Sequence, residues 1–250
     1  MSDPLPIVLV PGLNCSARLY GAQIPALWRY GPVMIADHTR DETMAGIARR
    51  ILAAAPPRFA LVGLSMGGYI AFEMWRQAHE WIAKLALLDT GAGPERPEQT
   101  AVRDQRLAMV RAGRFAQMSA DHFPLLVHRL RHDDAALRGE VRLMNEENGA
   151  DAYVRQQTAI RARADSRPDL AAIDCPTLVL VGDGRRGDPA GDGAGDRGRH
   201  PRRAPRGRAR LRAPLDPGAA RGGEQGAGGV DGQVIILPGV SRMRLHLYQG

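Results

Sequence analysis

The chain is poor in lysine, cysteine and aromatic residues: Lys84 stands against 33 arginines, there are two cysteines, and Phe, Trp and Tyr make up 5%. No apolar run is long enough to cross a bilayer, and no basic start followed by an apolar stretch marks an export signal. These absences predict a soluble, cytoplasmic protein with no membrane partner. Cys15 and Cys175 lie far apart and match no metal-ligand spacing, so they read as reduced structural thiols. Neither a metal nor a cofactor is expected.

What is present is length for one domain with a sizeable core, 250 residues, and a net charge of +7. The charge is local. Residues 1–184 hold 21 basic and 21 acidic residues, and the last 29 residues also cancel. Residues 185–221 hold 11 arginines against four aspartates, which is the whole excess. The basic character therefore belongs to one segment and not to the protein surface.

Residues 1–93 alternate between strands and helices. Leu5–Val10 is an apolar run closed by Pro11-Gly12, the mark of a buried parallel strand. A helix is expected over Tyr20–Arg29, a short strand at Val33–Ala36, and a helix at Met44–Ala55 after the N-cap Thr43. Strands follow at Phe59–Leu64 and Ile82–Leu88, with a helix over Met66–Gln77 between them. This alternation predicts an α/β fold, a mostly parallel sheet with helices on both faces. From residue 94 to 168 four helical stretches succeed one another without a strand: Thr100–Ala112, Phe115–Phe123, Asp134–Glu147 and Ala150–Arg163. They read as a helical lid, with Phe123, Leu125, Leu126 and Met144 as candidate pocket residues. Residues 169–184 return to the core through the strand Pro176–Val181.

The chemistry is carried by Gly63-Leu64-Ser65-Met66-Gly67, a G-x-S-x-G sequence between a strand and a helix. A sharp strand-to-helix turn forces the serine into a strained conformation with its hydroxyl exposed. Side chains at 63 and 67 would collide across that turn, so Gly63 and Gly67 fit. The helix that starts at Met66 directs its amide end at the serine and favours negative charge there. Ser65 is the candidate nucleophile and the Met66 N–H one oxyanion donor. Pro11-Gly12-Leu13, the turn after the first strand, offers the Leu13 N–H as the second.

With these motifs the chain resembles the α/β-hydrolase superfamily, in its compact lidded branch of esterases, lactonases and carbon–carbon bond hydrolases. The resemblance covers residues 5–184. It rests on the Pro11-Gly12-Leu13 turn, the Ser65 elbow, Leu85–Asp89 as the next strand end and Thr177–Asp183 as the strand leading to the acid. It implies a serine, acid, histidine triad in that order, an acyl-enzyme, and a small-molecule substrate under the lid.

The triad does not finish. The family's acid position, in a G-x-x-D pattern starting at Gly182, is Arg185. Asp183 and Asp89 remain as weaker acid candidates. None of His38, His79, His122, His128, His132, His200 and His246 sits in a Gly-His loop near the end of the chain, so the base is unassigned.

The composition breaks after Gly184. Residues 185–229 have only Leu211 and Leu215 as large apolar side chains and no aromatic, too little burial to offset ordering. Residues 185–250 therefore read as an aberrant, unstructured tail. Re-read one base later, the codons of 185–231 permit an aspartate in the G-x-x-D place, a helix, an L-V-V-V strand, a D-C-G-H-L loop and a closing amphipathic helix. A frameshift near the Gly184 codon accounts for the break. It predicts that the C-terminal strand, helix, acid and base are missing, that a sheet edge and an apolar face are bare, and that solubility and turnover are poor. Two alternatives stand beside this: a non-catalytic protein that kept the fold, and a scaffold with an Arg/Gly tail for nucleic acid. The tail's arginines are not interleaved with aromatics, which disfavours the nucleic-acid reading.

Overall fold

The computed structural model describes residues 4–182 and a strand at 243–248. Six strands form one sheet in the order β2-β1-β3-β4-β5-β6. They are β1 (Ile7–Val10), β2 (Val33–Ile35), β3 (Phe59–Leu64), β4 (Ile82–Leu88), β5 (Thr177–Gly182) and β6 (Met243–Tyr248). The first five are parallel. The expected α/β architecture is therefore the one found.

Side chains alternate across the sheet as the pleat requires. Val8, Val10, Phe59 and Leu61 face α2 (Met44–Ala54) and α3 (Met66–Ala78), where Ile47, Ile51, Ile70 and Met74 complete the main core. Ile7 and Leu9 face the opposite side and pack on Tyr20, Ile24 and Leu27. The helix expected over 20–29 is shorter than its pattern suggested. A 3₁₀ turn covers Ala17–Tyr20, and α1 spans only Ile24–Leu27. Pro25 has no N–H to donate and so sits in the first turn of α1 rather than inside a longer helix.

Between β4 and β5 come α4 (Pro97–Arg111), α5 (Phe115–Leu126) and α6 (Ala135–Arg161). The last two predicted lid helices are one long element broken at Gly149, whose φ of 78° and ψ of 170° suit only glycine. Phe123 and Met144 are buried with Val141, Leu126 packs against them together with Cys15 and Leu19 from the segment after β1, and Leu125 is exposed.

Met243–Tyr248, placed in an unstructured tail, is a strand, and it pairs antiparallel with β5 from Thr177↔Tyr248 to Gly182↔Met243. The β5 edge is thus not bare: backbone pairing needs no particular side chains, and a short apolar-alternating segment can satisfy it. Asp183, Arg185, His200 and the rest of 183–242 lie outside the described residues. Among the described residues, the sheet face carrying Ala60 and Val62 is covered only by the 17–27 segment, and Val181 is 45% exposed.

Candidate active site

The strand order reverses at β1: β2 lies on one side of it and β3 on the other. Ligands of open α/β sheets bind at such a switch point, beyond the carboxyl ends of the strands. Here those ends are the turn after Val10 and Ser65 after Leu64.

Ser65 has φ 52° and ψ −111°, outside the ordinary regions for a residue with a side chain. Several contacts hold it there. Its N–H donates to Leu88 O (2.8 Å), and its own carbonyl accepts from Gly68 N (2.9 Å) and from the Thr90 hydroxyl (2.8 Å). The glycines are needed for close packing. A Cβ on Gly63 would lie 2.4 Å from Gly67 O, the collision foreseen across the turn. A Cβ on Gly67 would instead meet Val10 O at 2.1 Å, because the first turn of α3 is pressed onto the end of β1. Gly68 is a third obligatory glycine: its Cβ would come within 2.3 Å of the Thr90 hydroxyl.

The Leu13 turn is built with equal care. Cys15 N donates to Gly12 O (3.1 Å), closing a turn whose third residue, Asn14, has φ 58°. Asparagine tolerates that conformation better than most residues. A Cβ on Gly12 would sit 3.1 Å from the Leu64 side chain, so the turn lies directly against the elbow. The Tyr20 hydroxyl pins Val10 O at 2.9 Å just before it. The Leu13 and Met66 amides thus come from two segments packed on each other beside Ser65. A helix N-terminus and a strand-end turn of this kind can hold an oxyanion.

A buried polar network fixes the turn from behind. His38, 2% exposed, has Nε2 at 2.9 Å from Gly12 O; since a carbonyl only accepts, Nε2 carries the proton. Burial holds the His38 pKa below its ordinary value, with the Gly12 bond and the Asp37 charge opposing more weakly. From the lid, Gln156 Oε1 accepts from Asn14 N (2.9 Å), and Asn145 Oδ1 accepts from the Asn14 amide (2.5 Å). None of Asn14, His38, Asn145 and Gln156 stands out in sequence. A polar residue on an apolar helix face is the one signal that could have flagged Gln156, whose neighbours at spacing three and four are Tyr153 and Ile160.

The acid and base candidates fare differently. The register pairs Leu64 with Leu88, so Asp89 follows β4 beside Ser65. Asp89 has φ 43°, its N–H donates to Leu180 O (2.7 Å), and it is half-buried. Asp183 lies outside the described residues. Among the described residues no side chain hydrogen-bonds the Ser65 hydroxyl. His38 is occupied by Gly12, His79 stacks near Trp75 on the surface, and His128 caps Leu130 N (3.3 Å). His122 and His132 belong to the lid, and His246 lies in β6 opposite Val179. No group of three metal-binding side chains occurs among the described residues, and no described helix is long and apolar enough to cross a membrane. A cavity of about 340 Å³ lies on the lid, lined by Asp133, Ala135, Arg138, Gly139 and Arg142, none of them an elbow or oxyanion residue.

The chain has the α/β-hydrolase fold and resembles that superfamily. It is similar to an esterase from Thermogutta terrifontis, at 27% identity over 72% of each chain with a TM-score of 0.64. The enol-lactonase from Burkholderia xenovorans LB400 shares 21% identity over 71% of this chain and 72% of that one, with a TM-score of 0.63. A hydrolase from Pseudomonas aeruginosa PA01 shares 24% over 77% of each, also at 0.64. No protein-family model and no curated protein sequence matches the chain.

Proposed function

We infer that this chain derives from a cytoplasmic serine hydrolase acting on an ester, lactone, thioester or activated C–C bond of a small molecule. The observation that carries the reading is the strained Ser65 turn, with Leu13 and Met66 packed beside it. Ser65 Oγ attacks the carbonyl carbon while a base takes its proton. The Leu13 and Met66 N–H groups receive the oxyanion, the leaving group departs, and water releases the acyl group from Ser65. Asp89, the residue after β4, where the register pairs Leu88 with Leu64, supports the reading as an acid candidate.

The chain as written is impaired in this reading, because frameshifted residues after Gly184 replace the triad's histidine. A serine without acid and base loses several orders of magnitude in rate. The unassigned base equally favours a non-catalytic protein that retains the fold. A fluorophosphonate probe separates the two when applied to the written chain and to one restored by a single-base change near the Gly184 codon. Labelling at Ser65 in the restored chain alone is expected. No labelling of either would overturn the hydrolase reading, and full labelling of the written chain would overturn the impairment.

A further inference from the structure

The lid contains two buried hydrogen-bond donors that lack acceptors, and a half-buried arginine lies near them. Tyr153 and Gln157 are successive inward residues of α6, 1% and 0% exposed. The Tyr153 hydroxyl and Gln157 Nε2 are both closed to water and without a hydrogen-bond partner. The Gln157 orientation is fixed by chemistry: its Oε1 accepts from Arg103 Nη1, and a guanidinium can only donate. Its NH₂ end must therefore point away from Arg103, as a donor. The Gln157 amide is near enough to Tyr153 to pull the phenol's pKa down against burial, which raises it, but the two lack hydrogen-bond geometry.

The third donor is Arg106 on α4, half-buried and close enough to Tyr153 for their charges to interact. The local carboxylate is already committed. Glu95 accepts from Arg103 at 2.9 and 3.2 Å and also from Arg163. The nearby Asp104 pairs with Arg161 at 2.6 Å on the exposed side. Among the described residues no carboxylate pairs with Arg106. Arg103 and Arg163 thus share one acid, and burial works against the charge of Arg106. Buried donors without acceptors are costly, so a site that collects them calls for a ligand.

We propose that Arg106, Tyr153 and Gln157 form a carboxylate-binding site in the lid. The molecule acted on at Ser65 carries an anionic group remote from its scissile carbonyl. A carboxylate supplies acceptors for an arginine, a phenol and an amide at once, and its charge offsets the local excess. The location suits a substrate site: Tyr153 belongs to a cluster that includes the Leu13 side chain, and Gln156 beside it holds Asn14. The second half of the proposal rests on Ser65 as the nucleophile; the anion site does not.

Monomethyl glutarate, an ester with a remote carboxylate, and the neutral dimethyl glutarate separate the possibilities in calorimetric titrations of the full chain. The expected result is at least a tenfold preference for the monoanion. Arg106→Gln abolishes the preference, and Tyr153→Phe and Gln157→Leu each weaken it several-fold. Arg106→Lys, which keeps the charge, retains part of it. Ser65→Ala leaves it unchanged, which separates the anion site from catalysis. A preference that depends on Arg106 upholds the site even if the fluorophosphonate probe never labels Ser65. Equal binding of the two esters, or a preference that survives Arg106→Gln, overturns it even if Ser65 is labelled.

Discussion

The backbone N–H of Asn14 donates to Oε1 of Gln156 at 2.9 Å, across 142 residues of chain. The bond joins the turn that presents the Leu13 amide to the lid helix above it. Because Asn14 is held at φ 58°, the turn needs such support to stay in one conformation.

Gln156→Leu is therefore expected to lose about 1–3 kcal/mol, the cost of a buried N–H left without an acceptor. Urea unfolding measures it. Gln156→Glu keeps the acceptor only by burying a carboxyl group, so it should also lose stability at neutral pH. Unlike Gln156→Leu, it should recover part of the loss as falling pH protonates it. If leucine and glutamate behave alike, the bond to Asn14 does not hold the turn.

Gly67→Ala tests the closeness of α3 to β1. The added Cβ would fall 2.1 Å from Val10 O, a backbone atom that cannot swing aside. Overpacking of this kind costs about 1–3 kcal/mol or more, so the variant should unfold at clearly lower urea. Gly139→Ala, where nothing lies within 4 Å, is the control and should be neutral or slightly stabilising. Equal midpoints for the two variants would contradict the packing described.

The residues differ in how plainly the sequence announces them. Phe59–Leu64 was legible to the residue as an unbroken apolar run, and Ile82–Leu88 as an apolar run interrupted only at the exposed Lys84. The elbow was legible because glycine is required on both sides of Ser65. Gly68 was not, since its need arises from Thr90, 22 residues away, and only folding brings the two together. His38, Gln156 and Arg106 were hidden for the same reason. Each is an ordinary polar residue in sequence and acquires its meaning from a partner, or the lack of one, on another element. The strand Met243–Tyr248 escaped notice because edge pairing is made by backbone and leaves only a weak side-chain pattern.

His38 should make stability depend on pH. Burial depresses its folded pKa below the unfolded value of about 6.5. The unfolded chain therefore takes up a proton first as pH falls. The contribution of neutral His38 is fully present above about pH 6.5 and is lost below it, by up to about 1.4 kcal/mol per pH unit until the folded pKa is reached. Urea midpoints at pH 7.5, 6.5 and 5.5 should fall over the last step. His38→Gln can still donate to Gly12 O but does not titrate, so its fall over that step should be smaller. A wild type and variant with parallel pH profiles would remove His38 as the cause.

Ser65 itself should be a site where function opposes stability. Its φ of 52° and ψ of −111° cost a residue bearing a Cβ about 1–3 kcal/mol, whereas glycine reaches that region freely. Glycine also loosens the unfolded chain, which offsets up to about 1 kcal/mol. Ser65→Gly is thus expected to be more stable than wild type by about 1 kcal/mol in urea. Ser65→Ala keeps the Cβ and the strain and should remain near wild type. Both lose the hydroxyl, so neither accepts a fluorophosphonate, in the written chain or in the restored one. The comparison of glycine with alanine isolates the backbone from the chemistry. If Ser65→Gly is no more stable than Ser65→Ala, the turn stores no strain, and the geometric basis for treating Ser65 as a nucleophile is lost with it.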